Sequence, residues 1–117
     1  MLAHGNFLGV FEGDALVAMG GCRVMQQRAC AHRAEIGPFY ATPAWQGHGA
    51  GDALMEAMRR HASAAGVWQL ELFVADDNPR ARRFYERHGF QAVGALPNAA
   101  LVNGKMTSDT FMVADLR

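Results

Sequence analysis

Apolar runs along the chain are separated by short clusters of Gly, Asp and Pro, and the hydrophobic period switches between that of strands and that of helices. Residues 7–11 and 15–24 are apolar runs on either side of Glu12-Gly13-Asp14, a punctuation that predicts two antiparallel strands joined by a tight turn. A polar stretch bearing His and Arg (26–33) precedes a third strand over 34–41, which ends at Thr42-Pro43 because proline cannot continue a ladder. From Asp52 onward Leu54, Met55, Met58, His61, Ala62 and Ala65 recur at helical spacing. Glu56, Arg59 and Arg60 take the opposite face and Gly66 supplies the stop, which predicts an amphipathic helix packed on a sheet. Met55 and Met58 read as core, not as soft ligands. Residues 67–74 alternate as a half-buried strand, and the strand–helix–strand order makes it parallel to the third strand through a right-handed crossover. Two such parallel neighbours can splay at their ends. Asp77-Asn78-Pro79 caps a second helix over 79–88, closed by Gly89. Residues 90–95 and 109–116 are the last strands, separated by a loop with an Asn103-Gly104 turn.

The stretch with the most chemical content is Gln46-Gly47-His48-Gly49-Ala50-Gly51, between the third strand and the first helix. Glycines let the backbone turn sharply and approach a ligand closely. A helix starting behind them aims unpaired N–H groups and the positive end of its dipole at an anion, so the segment reads as a phosphate cradle. It is not a P-loop, because Asp52 and Ala53 follow where Lys and Ser or Thr are required. It is not a dinucleotide fingerprint either, because the third glycine position falls on Asp52 or Leu54. A plain strand-to-helix connection remains the competing reading of the glycines by themselves.

A length of 117 residues predicts a single domain over 1–117. Half of the residues are hydrophobic and the formal net charge is zero, which argues against disorder and against nucleic-acid binding through bulk positive charge. No apolar run reaches the roughly 20 residues of a membrane span and the N-terminus lacks a signal-peptide pattern, so neither nucleic acid nor membrane is expected as a partner. Cys22 and Cys30 lack metal-ligand company and read as reduced thiols of a cytoplasmic protein, with no disulfide and no metal.

Three segments together resemble the GCN5-related N-acetyltransferase (GNAT) family. Residues 46–51 fit its Gln/Arg-x-x-Gly-x-Gly/Ala signature. Asn78-Pro79-Arg80-Ala81-Arg82-Arg83-Phe84-Tyr85-Glu86-Arg87-His88-Gly89-Phe90 fits its Asn…Phe-Tyr-Glu-x-x-Gly-Phe helix, and Ala34-Glu35-Ile36 fits its incoming strand. The resemblance implies an α/β (α+β) acyl-CoA N-acyltransferase fold with a mixed, mostly antiparallel central sheet and a splayed parallel strand pair. It begins at the family's second strand. The family's first strand and the two helices after it, which form much of the acceptor side, have no counterpart here; either the member is short or truncated, or a second protomer supplies that wall.

The resemblance further implies acetyl-CoA as cosubstrate and direct transfer of its acetyl group to a primary amine, on a small molecule or a peptide, in a ternary complex. The backbone at Gly47, His48, Gly49, Ala50, Gly51 and Asp52, with Gln46 before it, would receive the pyrophosphate. Phe39, Tyr40 and Ala41 would pair with the pantetheine arm as an added strand, and Asn78 would bond that arm. Tyr85 would protonate the departing thiolate, with Phe84 facing the core, and Glu35 would deprotonate the amine. Glu35 and Tyr85 also have plain readings, as a solvent-facing glutamate and a packed tyrosine. Asp52 either caps its helix or points into solvent, His48 reads as phosphate- or solvent-facing, and Arg80, Arg82, Arg83 and Arg87 read first as a solvated face. A non-catalytic acyl-CoA-binding module is the alternative function, and a nucleotide-binding regulator ranks third. A sheet edge uncovered by the absent first strand favours a homodimer.

Overall fold

The computed structural model describes residues 6–12, 15–41 and 49–117. The chain divides into two compact units, Met1–Leu70 with Leu116–Arg117, and Glu71–Asp115.

The first unit opens with β1 (Asn6–Glu12) and β2 (Ala15–Val24), followed by a 3-10 turn at Arg28–Cys30, β3 (Arg33–Ala41) and α1 (Ala50–Ala64). Both strand pairs are antiparallel and the order is β1-β2-β3. Glu12 stands opposite Ala15, as the Gly-Asp punctuation requires; Gly13 and Asp14 themselves lie outside the described residues. A bulge between Gly20 and Cys22 shifts the β2–β3 register, and small residues tolerate the local twist. Helix α1 packs against all three strands. Of its expected stripe Leu54, Met55, Met58 and Ala62 are fully buried, whereas His61 is half-buried and Ala65 is exposed because the helix ends at Ala64; Ala34, Ile36, Cys22, Val67 and Leu70 complete the core. Gly66 takes φ 86° and donates its N–H to Ser63 O at 3.0 Å, the left-handed stop that only glycine adopts without strain. The strand β4 (Gln69–Ala75) begins beside the start of β3, where the N–H groups of Trp68 and Gln69 donate to His32 O at 2.9 and 3.1 Å. That shared starting edge is the parallel feature in an otherwise antiparallel set.

The second unit holds the rest of β4, α2 (Pro79–Arg87), β5 (Gln91–Val102) and β6 (Lys105–Asp115), with strand order β4-β6-β5. Asp76, just beyond β4, donates its N–H to Ser108 O near the start of β6 at 2.9 Å, which sets those strands antiparallel. One row is buried: Leu72 and Val74 on β4, Thr110, Met112 and Ala114 on β6. Behind Gly89, itself at φ 90°, Phe90 is 2% exposed. The alternate row carries Phe73 and Phe111, whose rings lie 4.8 Å apart, and Glu71, which is buried although strand alternation alone would place it in solvent.

The last two strands are longer than the pattern predicts. They run to Val102 and from Lys105, leaving only Asn103 (φ 51°) and Gly104 (φ 76°) as a two-residue hairpin turn, not a loop. β5 has no buried residue, so no period-2 signal survives along it; its backbone is held in place by the β6 ladder, interrupted between Leu96 and Ala100 around Pro97 and Asn98. Among the described residues no buried side-chain nitrogen or oxygen lacks a hydrogen-bond partner, and no helix is long and apolar enough to cross a membrane. Cys22 and Cys30 are both free thiols, and burial pushes the Cys22 thiol above its usual range.

Candidate active site

Each unit carries its own share of the residues singled out in the sequence. In the first unit β3 delivers the chain toward α1, and Phe39, Tyr40 and Ala41 stand opposite Gly20, Met19 and Ala18 of β2. One hydrogen-bonding side of this end of β3 is therefore taken by β2. Gln46, Gly47 and His48 lie outside the described residues. The described part resumes at Gly49, the residue before α1, with φ 83° and ψ −1°. Its carbonyl accepts the first helical bond from Ala53 N–H at 3.0 Å, and no side chain caps the helix. The helix thus starts at Ala50, two residues before Asp52, where the sequence pattern begins it, and the N–H groups of Ala50, Gly51 and Asp52 belong to its first turn. Asp52 is half-buried there, where a negative charge is favourable to the helix.

A side chain at Gly49 would meet nothing within 4 Å, so the demand for glycine comes from the backbone conformation and not from space. Gly49→Ala is expected to lower stability by about 1 kcal/mol, with Gly49→Asn recovering part of it because asparagine tolerates this region. Comparing denaturant midpoints of the two variants checks the assignment.

Glu35 is not simply solvent-facing. It stands opposite Arg23 on β2, and Arg23 Nη2 donates to Glu35 Oε1 at 2.8 Å with both side chains more than a third exposed. A lone sequence could not reveal this partner, because it depends on a register shifted by the Gly20–Cys22 bulge.

In the second unit, α2 gathers the other candidates. Asn78 is its N-cap: Asn78 Oδ1 accepts from Ala81 N–H at 3.1 Å, and Pro79 follows where its missing N–H costs nothing. The oxygen of the carboxamide is therefore committed to the helix, and its remaining polar group is the Nδ2 amide, a pure donor. Tyr85 lies two turns along, about 10 Å up the axis and on the same side. Its phenol is half-buried, and desolvation pushes its pKa above the ordinary value, so at neutral pH it is a protonated donor. The ring meets Phe90 edge-on at 5.8 Å and Phe84 at 5.4 Å.

Phe84 departs from its expected place. No residue of α2 is fully buried, and the Phe84 ring is half-buried beside His88 at 4.8 Å, with the Arg87 guanidinium 5.3 Å from its centroid. The residue that seats on the buried Phe90 is Tyr85. Adjacent positions on a helix point about 100° apart, so Phe84 and Tyr85 cannot both seat on Phe90. Of the arginines, Arg82 is tied to Glu86 at 3.6 Å in an i, i+4 pair, in keeping with a solvated face.

Comparison with known proteins gives these pieces a common frame. The sequence profile described as the Acetyltransferase (GNAT) family matches residues 2–90. The chain is 48% identical over 58 residues to mycothiol acetyltransferase from Nocardiopsis dassonvillei, a match covering 47% of this chain and only 18% of that protein. Among solved structures, the ribosomal-protein-S18-alanine N-acetyltransferase from Escherichia coli superposes with a TM-score of 0.87 at 20% identity, over 99% of this chain and 72% of its own. An acetyltransferase from Salmonella typhimurium, solved with its cofactor acetyl-CoA, gives 0.85 at 20% identity over 95% of this chain and 64% of its own. Likeness at this identity establishes the fold over nearly the whole chain.

Proposed function

The chain belongs to the acetyltransferase (GNAT) family, and on that premise we propose that it is an acetyl-CoA-dependent N-acetyltransferase that transfers the acetyl group directly to a primary amine. Residues 1–117 act as one domain of this family in the proposal, which the extent of the structural matches supports. The observation that carries it is the α2 arrangement, a capping Asn78 whose Oδ1 is engaged by the helix while its Nδ2 amide is a donor, and a desolvated, protonated Tyr85 on the same side.

The pyrophosphate of acetyl-CoA is bound by the N–H groups opening α1, with Gln46, Gly47 and His48 completing the cradle. Pantetheine takes the side of Phe39, Tyr40 and Ala41 not occupied by β2 and accepts a hydrogen bond from Asn78 Nδ2. The amine nitrogen attacks the thioester carbonyl carbon, the C–S bond breaks, and Tyr85 gives its proton to the thiolate. The ammonium proton leaves to Glu35 through water, and the phenolate regains a proton from solvent. Desolvation weakens the phenol as an acid, but a thiolate leaving in the same surroundings becomes a stronger base, so transfer between them is not penalised. The acceptor is a small-molecule or peptide amine, the cosubstrate requires no metal, and in this reading the enzyme is cytoplasmic and works as a homodimer. The name of the Escherichia coli relative gives a ribosomal protein as its acceptor, which falls in the peptide class.

The Arg23–Glu35 ion pair favours a second reading, an acyl-CoA-binding module without turnover, since it gives Glu35 a structural partner on β2 at 2.8 Å in place of an acceptor amine.

Calorimetric titration with acetyl-CoA tests the proposal, followed by an amine panel. Binding in about the micromolar range is expected. Asn78→Asp should keep the helix cap, leave the melting temperature near wild type, and weaken binding about tenfold by replacing a donor with an anion. Absence of binding by the wild type sinks the proposal; binding with no acetylated amine selects the second reading.

A further inference from the structure

The link between β4 and α2 is pinned from two sides. Asn78 N–H donates to Ala75 O at 3.0 Å, and Arg82 N–H donates to Asn78 O at 3.2 Å, which shapes the link from within. From outside, Asp76 is held twice by β6. Its N–H donates to Ser108 O at 2.9 Å, and its Oδ1 accepts from Thr110 Oγ1 at 2.6 Å. The second contact is at the short end for a hydroxyl on a carboxylate, the range of charge-assisted bonds. Thr110 is 8% exposed and shares its row with the buried Met112 and Ala114, whereas Asp76 is exposed. A valine would fill the threonine's volume in that apolar row, so packing alone does not account for the hydroxyl. What it reaches is the anchor two residues before Asn78.

We propose that Thr110 and Asp76 form a positioning clamp that sets the Asn78 carboxamide for the coenzyme, so that the bond between them tunes affinity for the pantetheine arm. Neither residue touches the ligand; both act through the short connection that ends at the helix cap. The inference rests on the acetyl-CoA reading above.

The test compares Thr110→Val, Thr110→Ser and Asp76→Ala in titrations with acetyl-CoA and in steady-state kinetics, each with a melting temperature. Thr110→Val should raise the dissociation constant and the KM for acetyl-CoA about tenfold while kcat moves far less. Thr110→Ser, which keeps the hydroxyl, should restore binding. Asp76→Ala breaks the same bond from its exposed end and should match Thr110→Val even if the buried variant folds poorly. In an Asn78→Ala background, Thr110→Val should produce no further loss, because the clamp then has nothing to position. The clamp is overturned if either variant lowers the melting temperature but leaves acetyl-CoA affinity unchanged, or if the effects of Thr110→Val and Asn78→Ala simply add. Failure of the wild type to bind acetyl-CoA would instead remove the reading beneath it.

Discussion

Tyr85→Phe is expected to lower kcat by about 10² to 10⁴-fold, the range for removing a positioned general acid, while the dissociation constant for acetyl-CoA changes little. The substitution deletes one oxygen and keeps the ring against Phe90 and Phe84, so packing is preserved and the loss reports the proton. Single-turnover measurement with saturating coenzyme separates chemistry from binding, and an unchanged rate would remove Tyr85 from the mechanism. The direction of the pKa shift adds a second signature. Burial holds the phenol protonated above its ordinary value of about 10, so its acid function should persist to higher pH than an unburied phenol allows. The folded state binds this proton more tightly than the unfolded chain does. Stability therefore carries the term in full below about pH 10 and loses it as the pH climbs through the folded value. In Tyr85→Phe that component of the alkaline decline should be absent.

Phe90→Ala is expected to destabilise the protein by about 3–5 kcal/mol, read as a shift in the denaturant midpoint at unchanged m-value. The ring is 2% exposed and follows the left-handed Gly89 directly, so the chain has little freedom to close over a cavity there. Its N–H also donates to Tyr85 O at 3.1 Å, which ties the strand entry to the end of α2. Because the Tyr85 phenol leans on this ring, the folded fraction of the variant should lose turnover as well. Phe90→Leu, which keeps most of the volume, should recover most of the stability. A midpoint like that of the wild type for Phe90→Ala would show that the ring is not part of the core.

The parts of this fold visible in the sequence are those specified locally. Gly66 and Gly89 end the helices they were expected to end, Asn78 caps α2, and the Leu54, Met55, Met58 and Ala62 stripe is the buried face of α1. Each depends on residues within a few positions. The parts that were not legible depend on partners far along the chain. β5 owes its length to β6, and its exposed residues carry no periodic signal. Glu71 alternates like a solvent-facing residue yet is buried, because sheet burial is set by what lies above the strand and not by its own pattern. Arg23 and Glu35 meet through a bulge, and Asp76 and Thr110 meet across two strands, distances at which one sequence holds no recognisable motif. Neighbours compete too. Phe84 and Tyr85 are both aromatic and adjacent, and composition could not say which one would lean on Phe90.

Four of the seven methionines lie at the extremes of depth. Met55, Met58 and Met112 are entirely shielded, while Met106, beside the Asn103-Gly104 turn, is 53% exposed. Sulfoxide formation needs contact with the oxidant, so peroxide meets Met106 in the native state and reaches the three shielded sulfurs only when their surroundings open. Since Met55 and Met58 sit under one unit's sheet and Met112 within the other unit, their oxidation works as a pair of chemical clocks, one timing the opening of each half of the molecule.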